Sequence, residues 1–198
     1  MDYNQIVNVI NSSGLVLAPS DTIYGLLGDA TNEIAINKVF EAKKRDKNKS
    51  LIMLVNSIDM LKEYVSDLSL LEEELIKEFW PGKLTLILKR NDKVNDLMCG
   101  GKSTIAVRYP DNKFLLNVLS KVNKPLFSTS ANISNQDTIT NVEKIDDELL
   151  KYIDLVVDGG EIKASSSTIV LCEDNDINIL REGELAPKIL KWRNDHER

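Results

Sequence analysis

Short apolar runs recur along this chain at 15–18, 51–55, 84–88, 104–108, 155–157, 169–171 and 177–180. Each is too short for a helix and ends at a turn former, a hydroxyl or a cation, so each reads as a buried strand. Between them lie segments with helical spacing: 4–12 closed by Gly14, 32–44 capped by Asn32, 68–79 stopped by Pro81-Gly82, one opened by Asp111 or Asn112 and running to Val122, 142–152 and 186–193. Ser57 caps a shorter helix, and 91–103 reads as loop. Strands alternate with helices early and crowd together late. That order predicts an α/β fold, a twisted mixed (parallel and antiparallel) open sheet flanked by helices, with residues 1–198 forming one domain.

The stretch Leu126-Phe127-Ser128-Thr129-Ser130-Ala131-Asn132-Ile133-Ser134 carries this anatomy furthest. Two apolar residues lead into uncharged hydroxyl and amide side chains, which reads as a strand presenting donors and acceptors at close range. A helix cap or plain turn would look the same locally. Other elements end in cations: Lys43, Arg45 and Lys49 after one helix, Arg108 and Arg181 after two strands. Cations after a helix also complement its dipole, so these residues fit either ordinary surface or a phosphate clamp. Ligands of open α/β sheets sit beyond strand ends, where such groups could converge on one anion.

Several chemistries are excluded. The single histidine, His196, lies in a charged tail, which removes a Ser-His-Asp triad and an H-E-x-x-H zinc site. Cys99 and Cys172 have no metal-ligand spacing and suit a reduced compartment. With no signal pattern and no apolar run near the ~20 residues of a membrane span, a cytoplasmic protein is expected. A net charge of −6 argues against a generally basic nucleic-acid binder. Gly100-Gly101-Lys102-Ser103-Thr104 mimics a phosphate loop, yet position 96 is Asp rather than Gly, and a strand follows where a helix is required.

Seven motifs together resemble the YrdC-type threonylcarbamoyl-AMP synthases: Pro19-Ser20-Asp21-Thr22-Ile23-Tyr24-Gly25-Leu26, Lys43-x-Arg45, Phe79-Trp80-Pro81-Gly82-Lys83-Leu84-Thr85, Thr104-Ile105-Ala106-Val107-Arg108-x-Pro110, Thr129-Ser130-Ala131-Asn132-x-Ser134, Ser167-Thr168-Ile169 and Leu180-Arg181-x-Gly183. The resemblance spans 14–183 and implies a mostly parallel, partly antiparallel sheet with a large positive cavity, in the single-domain form of the family. It implies an enzyme that joins L-threonine, bicarbonate or CO2, and ATP into threonylcarbamoyl-AMP with release of pyrophosphate, for threonylcarbamoyladenosine in tRNA. Threonine contacts then fall on Thr22, Arg108, Ser130 and Ser167. ATP contacts fall on Arg45, Lys49, Thr104, Asn132, Thr140 and Arg181, and the catalytic set is Lys43, Arg45, Ser130 and Asn132. The resemblance also implies Mg2+ arriving with ATP, no metal ligands of the chain's own, weak contact with tRNA and the downstream threonylcarbamoyl transferase, and no membrane.

The chain departs from the family at Asp46 and Ser50, where prolines are common, at Asn135 for a glycine, and at Leu54 for a histidine. The competing class is a non-catalytic RNA-binding module using the same cations. Its affinity would fall steeply with salt, whereas a one-nucleotide pocket would saturate with ATP.

Overall fold

Strand alternation sorts side chains onto two faces of a sheet, and here the two faces have different fates. The computed structural model describes residues 2–163 and 165–196. Its strands are β1 (Val16–Ala18), β2 (Gly25–Asp29), β3 (Ile52–Leu54), β4 (Leu84–Lys89), β5 (Thr104–Arg108), β6 (Leu126–Ser130), β7 (Leu155–Val156), β8 (Thr168–Glu173) and β9 (Asp176–Arg181). Among the described residues they form one sheet in the order β7-β1-β2-β6-β3-β5-β4-β8-β9. The pairs β1–β7, β3–β5 and β4–β8 are parallel. The pairs β1–β2, β2–β6, β3–β6, β4–β5 and β8–β9 are antiparallel. The mixed sheet is as expected, but antiparallel pairs outnumber parallel ones, which corrects the mostly parallel picture. Three of the antiparallel pairs, β1–β2, β4–β5 and β8–β9, join strands consecutive in the chain, which need no crossover to pair.

One face carries Leu17, Leu26, Met53, Leu86, Val107 and Phe127, all buried in the larger core. Residues of α2 (Glu33–Ala42), α3 (Ile58–Lys62), α4 (Leu70–Phe79), α5 (Asp96–Cys99), α7 (Asp147–Leu150) and α8 (Ala186–His196) complete that core. Gly28 belongs to this face, because a Cβ there would sit 2.3 Å from the Phe127 ring. The opposite face is covered over only part of its area. There α1 (Tyr3–Asn11) and α6 (Lys113–Val122) bury Val16, Ala18, Leu27, Leu54 and Leu126. Further along the sheet this face turns mostly small or polar, with Gly25, Ala106, Ser128 and Ser130 around Ile52 and Ile87. Large aliphatic side chains give the two helices something to bury, and where the strands turn small the helical cover stops.

Local chemistry explains the helix limits. Asp2 caps α1 by accepting from Asn4 N at 2.9 Å, and Asn112 caps α6 through Leu115 N at 3.0 Å. Ser69 and Glu72 form a reciprocal capping box on α4. Gly14 does follow α1, but the left-handed residue is Ser13 (φ 63°). Gly14 is required by space, since a Cβ would meet Val9 Cγ1 at 2.6 Å. Two readings change. The expected helix over 142–152 is a 3-10 turn at Val142–Lys144 followed by α7, because Asp146 turns its carboxylate onto Glu148 N (2.8 Å) and starts a new helix. The expected loop over 91–103 contains α5, capped by Asn95 and ended by Gly100 at φ 61°. No described helix is long and apolar enough to cross a membrane.

Candidate active site

The uncovered part of the sheet floors a hollow of about 490 Å3. Ser128, Ile52, Ala106 and Ile87 lie in one row across four strands, paired Ser128 to Ile52, Ile52 to Ala106, and Ala106 to Ile87. The ligand space therefore lies on a sheet face rather than beyond strand ends, because α1 and α6 leave that face open. Gly25 keeps the floor low, since a Cβ there would stand 3.2 Å from Ser128 Oγ.

Of the residues expected at the site, Thr22, Arg45, Arg108, Ser130, Ser167 and Arg181 line the hollow. Arg108, 5% exposed, is delivered by β5 and held on three sides. Its Nε donates to Gly82 O at 3.2 Å, Nη1 to Thr22 Oγ1 at 3.2 Å, and Nη2 to Asp21 Oδ1. Those bonds use three of its five N–H donors. The two that remain sit one on each terminal nitrogen, the fork a carboxylate accepts. Ser20 braces the loop by accepting from Thr22 N and Ile23 N at 3.1 Å each. Arg181 donates to Ser167 O at 3.0 Å and Ser167 Oγ at 2.9 Å, and Thr85 Oγ1 stands 2.8 Å from the same hydroxyl. Gly183 lets this arm lie flat, since a Cβ would come 2.3 Å from Ser166 O. Arg45 is anchored by its own loop, donating to Lys49 O at 3.3 Å and Ser50 O at 2.8 Å. Burial lowers the pKa of all three guanidiniums, and Arg108 lowers that of Arg181 further. Each would gain from a bound anion.

Lys43 and Asn132 stand just behind the wall. The Lys43 side chain, 1% exposed, turns inward from the end of α2 and donates to Ser130 O and to Asn132 O, the latter at 2.5 Å. Its own carbonyl accepts from Ser134 N at 2.9 Å. In place of a phosphate clamp, Lys43 is the post on which the Ser130–Asn132 turn is built. Burial, with the Arg45 charge adding to it, pushes its ammonium down to about 7. Asn132 Nδ2 donates to Ile133 O at 3.0 Å and Gln136 O at 2.7 Å, while its Oδ1 is buried without a partner. Asn135 takes φ 71°, the left-handed conformation expected where the family has glycine.

Lys49, Thr104 and Thr140 are not among the lining residues. Lys49 is exposed and contributes its carbonyl to Arg45. Thr104 opens β5 two residues before Ala106, and Thr140 accepts from Lys144 Nζ at 3.2 Å. Leu54 is buried in the α1–α6 core.

Reasoning from sequence left three participants without a settled role. Thr85 was visible within the Pro81-Gly82 motif, and Asp21 within Pro19–Thr22, but their partners are 82 and 87 positions away. Lys102, set aside with the failed phosphate loop, lines the hollow. Among the described residues its lining thus holds four cations, Arg45, Lys102, Arg108 and Arg181, and no carboxylate.

An open mixed sheet with a cationic, hydroxyl-rich hollow on one face defines a protein built to hold a polyanionic small molecule. The comparisons give that class a family. The Sua5/YciO/YrdC family model, described as "Telomere recombination", matches residues 8–183. A Methanocaldococcus jannaschii relative is 40% identical over 172 residues, 85% of this chain and 79% of that protein. The threonylcarbamoyl-AMP synthase of Vibrio vulnificus is 32% identical over 92% of this chain and 98% of its own. The crystal structure of Pyrococcus abyssi Sua5 complexed with L-threonine superimposes with a TM-score of 0.90 at 31% identity, covering 96% of this chain and 56% of that one. This chain belongs to the Sua5/YciO/YrdC family. It spans about half the length of the Pyrococcus protein and nearly all of the Vibrio one.

Proposed function

We propose that this chain makes L-threonylcarbamoyl-AMP from L-threonine, bicarbonate or CO2, and ATP, releasing pyrophosphate. The observation that carries this reading is the convergence of Arg45, Arg108 and Arg181 with Thr22, Ser130 and Ser167 around one hollow of about 490 Å3. An RNA groove would spread its cations along an open track. These surround a single chamber.

The chemistry needs no protein nucleophile. The threonine amine attacks CO2, forming an N–C bond and losing a proton to give a carbamate. A carbamate oxygen then attacks the α-phosphorus of ATP, an O–P bond forms, and the bond to the β-phosphate oxygen breaks to release pyrophosphate. Such a step depends on alignment and charge neutralisation. The free fork of Arg108, with Thr22 and Ser167 beside it, takes the threonine carboxylate. Arg45 and Arg181 stabilise charge developing on the phosphates, and Ser130 aligns the reacting groups on the turn that Lys43 holds.

No cluster of three or more His, Cys, Asp or Glu that could hold a metal occurs among the described residues, and the polar side chains lining the hollow are hydroxyls, guanidiniums and the Lys102 ammonium. That set does not fit a resident magnesium cage, so Mg2+ is proposed to enter on the triphosphate's own oxygens. A cytoplasmic setting, and hand-over of the product to a tRNA-modifying transferase, complete the proposal. Pyrophosphate release measured with ATP alone, and then with threonine and bicarbonate added, tests it. Release is expected only with all three present, and no release under that condition removes the proposal.

A further inference from the structure

We infer that Lys102 is the ligand for the departing pyrophosphate end of the nucleotide. This assignment rests on the nucleotide reading of the hollow given above. The Gly100-Gly101-Lys102 stretch fails as a phosphate loop, yet it brings its lysine to the same kind of ligand by another route. Gly100 and Gly101 take φ 61° and 72°, a left-handed pair that turns the chain sharply after α5. Gly100 lies against the segment that carries Arg45's partners, because a Cβ there would come 2.5 Å from Asn48 O. Ser50 Oγ donates to Cys99 O at 3.0 Å, and Leu51 N to Met98 O at 2.8 Å, locking the two segments together.

The backbone of Lys102 is pinned on both sides while its ammonium is not. Lys102 N donates to Cys99 O at 3.3 Å, and Lys102 O accepts from Arg90 Nε at 2.8 Å. No described residue gives the ammonium a hydrogen bond or an ion pair, although it lines the hollow. The three guanidiniums there are each held by protein acceptors. Among the described residues, Lys102 is the one lining cation whose charged end has no protein partner.

Its position selects the part of the ligand it meets. Lys102 and Arg45 stand where β3 and β5 begin. Arg108 ends β5, four residues and roughly 13 Å beyond Thr104. With the threonine carboxylate on Arg108, the far end of the hollow receives the other extremity of the reacting pair, the β- and γ-phosphates. A mobile ammonium suits a group that is bound, severed and then released, since it can follow the pyrophosphate without breaking the fixed contacts at the reacting centre.

The test compares calorimetric binding of ATP, AMP and inorganic pyrophosphate to the wild type, Lys102→Met and Lys102→Arg. Lys102 is exposed, so the methionine variant is expected to melt within about 1 °C of the wild type. Lys102→Met should weaken ATP and pyrophosphate about tenfold, leave AMP and L-threonine unchanged, and be rescued largely by Lys102→Arg. Wild-type ATP binding with unchanged affinity in Lys102→Met overturns the Lys102 assignment alone. So does an equal loss for AMP and ATP, which would place the lysine on the nucleoside monophosphate end. A wild type that binds neither ATP nor pyrophosphate overturns both this assignment and the nucleotide reading beneath it.

Discussion

Lys43 offers a prediction that joins its buried geometry to proton linkage. A neutral lysine amine has two N–H donors, and Lys43 faces two carbonyls, Ser130 O and Asn132 O, so the uncharged form is fully satisfied where it sits. Burial and the nearby Arg45 bring its pKa from 10.5 to about 7. Between those values the unfolded chain still holds the proton that the folded protein has released. The unfolded state then binds more protons, and stability must rise with pH across the window. From pH 7 to 8.5 the Lys43 contribution amounts to about 1.5 kcal/mol of added stability. Cys172, which burial pushes up to about 12, works the opposite way only above about pH 9, where the unfolded thiol ionises and the folded one does not. Urea denaturation of the wild type and Lys43→Met at half-unit steps between pH 7 and 8.5 isolates the effect. Lys43→Met leaves two carbonyls without donors, which costs about 1–3 kcal/mol each and does not titrate. The difference in unfolding free energy should therefore keep its offset and widen by about 1.5 kcal/mol as pH rises. A difference that stays flat, or narrows, would refute the claim that Lys43 lies buried against that turn.

Other perturbations probe the site and the two faces of the sheet. Asp21→Asn removes the countercharge of buried Arg108, and a loss of about 3 kcal/mol is expected in chemical denaturation. Saturating L-threonine should recover part of it, since its carboxylate would meet the same guanidinium. Ser128→Leu fills the floor without touching the larger core, so circular dichroism and melting should stay near wild type while pyrophosphate release is lost. Gly28→Ala does the reverse: its Cβ collides with the Phe127 ring on the covered face, costing about 1–3 kcal/mol in thermal unfolding. Activity of Gly28→Ala well below its melting temperature should match wild type.

Most strand positions were legible in sequence because each depends on a run of a few apolar residues bounded by turn formers. Caps such as Ser57 and Asn32 were legible for the same reason, their hydrogen bonds spanning two or three residues, while the choice of Asn112 over Asp111 waited for the structure. The 142–152 segment was misread because its helical periodicity continues through Ile145, while Asp146 competes for the backbone and restarts the helix. At the site, side-chain chemistry was readable but direction was not. Lys43 and Arg45 are two residues apart, yet one ammonium turns under the Ser130–Asn132 turn while the other cation faces the hollow.

Residue order by itself settled the α/β character, the positions of most strands, and the small, polar residues that a close-fitting anion site needs. It also carried the family, through motifs whose members need only keep their spacing. Period-two alternation says that a strand has two faces, but not which one a distant helix will cover. Here α1 and α6, far apart in the chain, cover only the end of the sheet rich in leucine and valine, and the exposed remainder becomes the hollow. The pairing of Asp21 with Arg108, the inward turn of Lys43 and the arrival of Lys102 in the hollow that Arg45 also lines all follow from that packing, because each joins segments that meet only once the layers have closed.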